Sequence, residues 1–205
     1  KFLIEKGHYS PNIISPFPTM SVNVDSTLLT GVNSDKHKIP GLVWYNQKEK
    51  RIINYGSHVR ELFKLGLKQS MEDIFFNLNH EHLSKKQKTI HEFLRDKGIQ
   101  TATINTLLYR GSNLTQIRVP SLLSLLTGIN KELIVYSPDL FAYGAFRKLN
   151  PLKKNTYFWQ RYGFNDKFTV NELRCLIDQN KLPPLTIAYF PNLDQSVHKN
   201  GRRDI

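Results

Sequence analysis

The amino-acid sequence predicts a layered α/β domain, and three observations carry that expectation. A run with helical spacing over residues 85–97 ends at Gly98 and leads into a strand rich in Thr and Ile over 99–108. A second helical run over 165–180 is broken by Pro183-Pro184 and followed by the apolar stretch Leu185 to Phe190. Helix, turn and strand in succession form the repeating unit of a layered α/β fold. The composition, 40% hydrophobic and 11% aromatic over 205 residues, supplies the apolar surface that such a core needs.

Each element has a local signal. Residues 1–6 read as the last turn of a helix with Gly7 at its C-cap. Pro11, Pro16 and Pro18 make 8–20 an extended approach. Residues 22–30 suit a short helix ended by Gly31. After the Pro40-Gly41 turn, Leu42 to Tyr45 and Arg51 to Tyr55 suit a hairpin. Short helices are expected over 58–65 and 70–77. Ser84 can cap the 85–97 helix, with Leu83, Ile90, Phe93 and Leu94 inward and His91 on the polar side. Helical segments are also expected over 120–127 and 138–147. In the 165–180 helix, Val170, Leu173, Leu176 and Ile177 should face inward.

Composition excludes several classes. The single cysteine, Cys175, rules out an internal disulfide framework and a Cys-rich zinc module, and reads as a small core residue. No apolar run approaches the ~18 residues of a membrane span. The net charge is +12, and half of it lies in 100–168, where nine basic residues face three acidic ones. That block includes Arg147, Lys148, Lys153, Lys154, Arg161 and Lys167, with Tyr157, Phe158, Trp159 and Tyr162 among them. Basic and aromatic side chains together can bind nucleic acid. No nucleic-acid motif accompanies them, so the simpler reading is a solvated face beside a partly buried aromatic cluster.

Two stretches carry candidate chemistry. In Pro18-Thr19-Met20-Ser21-Val22-Asn23-Val24-Asp25-Ser26-Thr27-Leu28-Leu29-Thr30-Gly31, hydroxyl residues cluster where an extended segment meets a helix. A helix N-terminus offers unpaired N–H groups and partial positive charge, which favour an alkoxide and bound phosphate oxygens. The alternative is an ordinary Ser/Thr N-cap. In Phe190-Pro191-Asn192-Leu193-Asp194-Gln195-Ser196-Val197-His198, a strand runs into a polar loop holding a carboxylate and an imidazole four residues apart. Ligand sites of open α/β sheets sit at such strand ends, and Asp oxygen with His nitrogen suits zinc, manganese or iron. His80-Glu81-His82 lacks the spacing of a zincin helix, and His8 and His58 have no convincing partners.

Together the two stretches resemble the type I phosphodiesterase/nucleotide pyrophosphatase group of the alkaline phosphatase superfamily. The group's Pro-Thr-x-Thr/Ser, Leu/Val-Thr-Gly and His-x-Ile signature reads here as Pro18-Thr19-Met20-Ser21, Leu29-Thr30-Gly31 and His37-Lys38-Ile39. The continuation Pro40 to Tyr45 looks like a bacterial branch described as alkaline-phosphatase-family proteins. Asp194-x-x-x-His198 resembles the family's metal loop. The match covers 1–56, 91–111 and 186–201; residues 112–168 match nothing and are expected to be an insertion or cap. The resemblance implies a layered α/β/α alkaline-phosphatase-like core, with 1–205 a partial catalytic domain.

By the same resemblance, Ser21 takes the nucleophile's position, with Thr19 the next candidate. Ser21, Asp194 and His198 would be ligands in a site of two divalent ions, usually zinc, with manganese an alternative. These ions would flank an in-line phosphoryl displacement through a covalent phospho-enzyme. The expected partner is an anionic phosphate ester, not a nucleic acid. The family's first metal-binding Asp would fall before Lys1, and its Asp-His pair and final His after Ile205, so the chain is expected to hold about half of a site. The phosphate-binding asparagine of nucleotide pyrophosphatases falls near Gly41-Leu42, which does not supply it. The competing expectation is a truncated or degenerate, non-catalytic basic fragment that binds a polyanion through the 100–168 block.

Overall fold

The computed structural model describes residues 5–56, 59–119, 121–144, 146–147 and 164–201. In chain order the elements are α1 (Ser21–Thr30), α2 (Ser34–His37), β1 (Val43–Asn46), β2 (Arg51–Asn54), α3 (Val59–Lys64) and α4 (Leu67–Glu72). A π-helical segment, Asp73–His82, continues α4. Then follow α5 (Ile90–Asp96), β3 (Thr101–Ile104), β4 (Asn113–Arg118), α6 (Ser121–Thr127), β5 (Glu132–Ser137), β6 (Leu140–Tyr143) and β7 (Phe146–Arg147). The last three are α7 (Asp166–Asp178), β8 (Leu185–Ala188) and α8 (Pro191–Asn200).

The fold is α/β, as the residue pattern predicts. A four-stranded sheet of order β7-β6-β3-β8 forms its centre, with β3 parallel to both β6 and β8 and β7 antiparallel to β6. All four residues of β3 are buried, as expected of a strand covered on both faces. On one face, Ile104, Ala142 and Ala188 pack against Phe168, Leu173 and Leu176 of α7. On the other, Ile187 packs with Val22 and Leu29 of α1 and with Ile74 and Leu78 of the π segment. Phe141 and Tyr143 of β6 join Tyr109, Val135 and Ile117 in a neighbouring cluster. The sheet therefore lies between helical layers.

Buried ion pairs tie the irregular parts to this frame. Arg51 donates to both oxygens of the buried Asp73 at 2.6 and 2.8 Å, joining β2 to the π segment. Arg110 donates to both oxygens of Glu92 and to the carbonyls of Leu83, Ser84 and Gln87. Glu92 also completes a capping box with Thr89 at the start of α5. A guanidinium buried this deeply is tolerated because its donors are met.

Several expectations are corrected. Within 138–147, Leu140–Tyr143 and Phe146–Arg147 are the strands β6 and β7, because β6 pairs with β3; tertiary pairing overrides the helical pattern. The helix expected over 85–97 starts only at Ile90, with Thr89 as its cap in place of Ser84. Leu83 is buried, but Ile90 and Phe93 are exposed while His91 is buried, so the inward face is rotated from the expected one. The 99–108 strand is confined to Thr101–Ile104. In α7, Leu176 faces inward as expected, whereas Val170 and Ile177 are exposed and Phe168 takes their place. The polar loop expected after Phe190 is the helix α8. The hairpin, α1 and the β8 strand lie where the sequence puts them, and Cys175 is half-buried with its thiol pushed up chiefly by burial. Residues 1–4 and 148–163, with most of the basic and aromatic block, lie outside the described residues.

Burial sets an acid limit on stability. Burial lowers the pKa of His91 and of His80 from 6.5 to about 4, and among the described residues neither ring nitrogen of His91 has a hydrogen-bond partner. Above pH 6.5 each ring is neutral in both states and the stability is fully present. As pH falls from 6.5 toward 4, the unfolded chain takes up protons that the folded one refuses, and stability is lost. At pH 5 this loss should be roughly 2 kcal/mol per histidine. Urea unfolding of His91→Leu should therefore show a smaller drop between pH 7.5 and 5 than the parent, by about that amount.

Candidate functional site

Met20 holds the extended conformation of an N-cap and Ser21 is the first residue of α1, one position earlier than the sequence implied. Asn23 anchors the turn by donating to Pro18 O at 2.7 Å. The hydroxyls of this stretch are almost all engaged. Ser26 donates to Val22 O and Thr30 to Ser26 O, each at 2.6 Å, while Thr27 meets His37 Nε2 at 3.3 Å. Thr19 reaches Pro16 O at 3.5 Å. Ser21 is exposed, and among the described residues no hydrogen bond engages its Oγ. It stands at the end of a ten-residue helix whose first N–H groups have no partner within the helix.

His37 is a structural residue. Ile39 N–H donates to its Nδ1 at 3.1 Å, so the proton sits on Nε2 and is directed at Thr27 Oγ1. The ring is fully buried, and burial lowers its pKa, keeping it neutral. This bond pins the chain after α2 to α1. Gly31 at φ +70 makes the turn between them, donating its N–H to Thr27 O. The Pro40-Gly41-Leu42 segment returns beside the start of α1. A Cβ on Gly41 would meet Met20 Sδ at 3.0 Å, a contact tight enough to press on the residue next to Ser21.

Asp194 and His198 lie on α8, which starts directly beyond β8 with Pro191 at its first position. The four-residue spacing puts both on one face, with Asp194 Oδ1 and His198 Nε2 3.7 Å apart. Asp166, at the start of α7, accepts from the N–H groups of Asn192 and Leu193 at 2.8 and 3.1 Å, while its own N–H donates to Asn192 Oδ1 at 2.8 Å. These bonds cap α8 and hold it against α7. Tyr189 donates its hydroxyl to Asp194 Oδ2 at 2.8 Å.

The charges of the two stretches feel each other. Asp25, one helical turn after Ser21, is pushed up to about 6, first by burial and then by the negative charge of Asp194. Tyr189 feels Asp25 as well as Asp194. Asp25, in the second turn of α1, and Asp194, in the first turn of α8, are thus close enough for their charges to interact, and α8 itself follows the carboxyl end of β8. Asp194 and His198 are brought together, and Asp194 is brought beside α1; no hydrogen bond joins either to Ser21 among the described residues. Also among the described residues, no three His, Cys, Asp or Glu side chains converge to hold an ion. Asp25, Tyr189 and Asp166 went unrecognised in the sequence. For Asp25 a signal existed, since it repeats the Ser21 position at i+4.

Removal of the Asp166 cap tests the placement of α8. Asp166→Ala should cost about 1 kcal/mol and speed amide exchange across 191–198 while leaving β3 and β8 protected. Hydrogen exchange followed by mass spectrometry reads both.

A family model described as type I phosphodiesterase/nucleotide pyrophosphatase matches residues 1–205. No curated protein and no solved structure matches the chain.

Proposed function

Because the chain belongs to the type I phosphodiesterase/nucleotide pyrophosphatase family, whose members hydrolyse phosphate esters, we propose that Ser21 is the nucleophile of a metal-assisted phosphate-ester hydrolysis. The observation that carries this reading is the free hydroxyl. Of the hydroxyls around the start of α1, Ser21 alone is exposed, unengaged among the described residues and seated on the helix N-terminus. Thr19, the alternative, lies in the extended approach and turns toward Pro16 O.

The donor set suits one divalent cation. One carboxylate and one imidazole are the ligand types zinc and manganese take, and their 3.7 Å separation is one that ~2.0–2.2 Å bonds to a shared ion can span. Asp194 and His198 would hold one of two such ions, zinc first and manganese as the alternative. When bound, they would supply charge compensation for the phosphoryl oxygens and favour ionisation of a nearby hydroxyl. The chain's own residues do the rest. The first-turn N–H groups of α1 offer donors to a phosphoryl oxygen. Ser21 Oγ gives up its proton and bonds to phosphorus as the ester P–O bond breaks, and the departing alkoxide takes up a proton. Attack of water on the phosphoserine then returns the serine and releases phosphate or a monoester.

The substrate is read as an anionic phosphate ester, whose approach a positive chain favours. Leu42 follows Gly41 beside Met20, and this segment provides no side-chain amide for the phosphate. That leans away from nucleotide pyrophosphates. With zinc supplied, Ser21→Ala should lower turnover of p-nitrophenyl phosphate and its bis-ester by roughly a thousandfold or more, and Thr19→Ala by only a few-fold. Undiminished turnover by Ser21→Ala would remove Ser21 from the mechanism.

A further inference from the structure

We propose that Tyr189 is a positioning residue for Asp194: its phenol takes one carboxylate oxygen, so that the other is presented toward His198. This inference rests on the reading of Asp194 and His198 as metal ligands. Tyr189 directly follows β8 and is held by three different elements. Its N–H donates to Ile104 O at 3.0 Å, extending the β3–β8 pairing by one step. Its carbonyl accepts from the buried Thr169 Oγ1 of α7 at 2.8 Å. Its hydroxyl donates to Asp194 Oδ2 at 2.8 Å.

The Asp194 side chain is partly exposed, and a hydrogen bond to one of its oxygens fixes how the carboxylate turns. Asp194 Oδ1 is the oxygen that comes to 3.7 Å from His198 Nε2, and Oδ2 is the one the phenol takes. The two oxygens are therefore differentiated by the protein itself. A phenol is protonated at neutral pH, so Tyr189 is the donor in this bond. Groups that orient a ligand from outside the coordination shell typically change metal affinity by roughly 10–100-fold. Tyr189 stands five residues before Asp194, close enough in sequence for strand end and helix start to set the contact, and it is separate from the nucleophile.

The test uses the full chain with Mn²⁺ affinity measured by calorimetry and the visible spectrum of bound Co²⁺ as a report of coordination. Four proteins are compared: the parent, Tyr189→Phe, Thr169→Val and Asp194→Ala. Tyr189→Phe should bind Mn²⁺ about 10–100-fold more weakly and change the Co²⁺ spectrum, with the melting temperature of the metal-free protein unchanged. Thr169→Val, which frees the Tyr189 carbonyl but keeps the phenol, should retain affinity within a few-fold. If Tyr189→Phe matches the parent in affinity and spectrum while Asp194→Ala binds weakly, the inference is overturned and the ligand reading stands. If Thr169→Val loses as much as Tyr189→Phe, general loosening replaces the phenol's role and the inference is overturned. If Asp194→Ala binds as tightly as the parent, the ligand reading fails and this inference with it.

Discussion

The pairing of β3 with β8 is the constraint on which the site depends. Thr101–Ile104 lies buried between β6 and β8, and the ladder it forms with Leu185–Ala188 continues into the bond from Tyr189 N–H to Ile104 O. That bond ends the strand at one defined residue. Two residues later Pro191 starts α8, and the first turn of that helix carries Asp194. On the same sheet, Ile187 packs with Val22 and Leu29, which holds α1 against the strand that leads to α8. The nucleophile candidate and the ligand candidates are thus both tied to one strand, the ligands through its carboxyl end and α1 through the side chain of Ile187.

The second level of control comes from polar bonds made across the layers. Asp166 and Asn192 exchange bonds between the starts of α7 and α8. His37 and Thr27 exchange one between α2 and α1. In each case a helix start or end is fixed by a side chain far away in sequence or on a separate element. The hydroxyls of Ser26 and Thr30 turn back onto their own helix, and this leaves Ser21 as the exposed one. The arrangement gives physical content to a signature rich in Ser and Thr: most of those hydroxyls build the helix, and that of Ser21 is left exposed.

Much of this was legible locally. The extended approach, the turn at Gly31, the β1–β2 hairpin and the strand at 185–188 each carry their own signals, and the spacing of Asp194 and His198 was visible without any fold. What was not legible depended on distant partners. Pro191, Asn192 and Asp194 are turn-forming residues, so the segment read as a loop; it is helical, with Pro at its first position and a cap supplied by Asp166, 26 residues earlier. The 138–147 segment has a helical pattern but lies beside β3, and the ladder decides its conformation. His91 looked solvent-facing because Ile90, Phe93 and Leu94 marked the opposite face as inward; Ile90 and Phe93 are exposed and the imidazole is buried in their stead. Asp25 and Tyr189 gain meaning only when the fold brings each within reach of Asp194.

The central claim is that Ser21 carries the phosphoryl group. The most direct measurement is rapid acid quenching of the zinc-supplied protein during turnover of p-nitrophenyl phosphate, followed by peptide mass spectrometry. The account predicts one added phosphoryl group on the peptide containing Ser21, localised to that residue by fragmentation and absent from Ser21→Ala. Phosphorylation at Thr19, or turnover with no phosphorylated peptide under conditions that trap the intermediate, would contradict it.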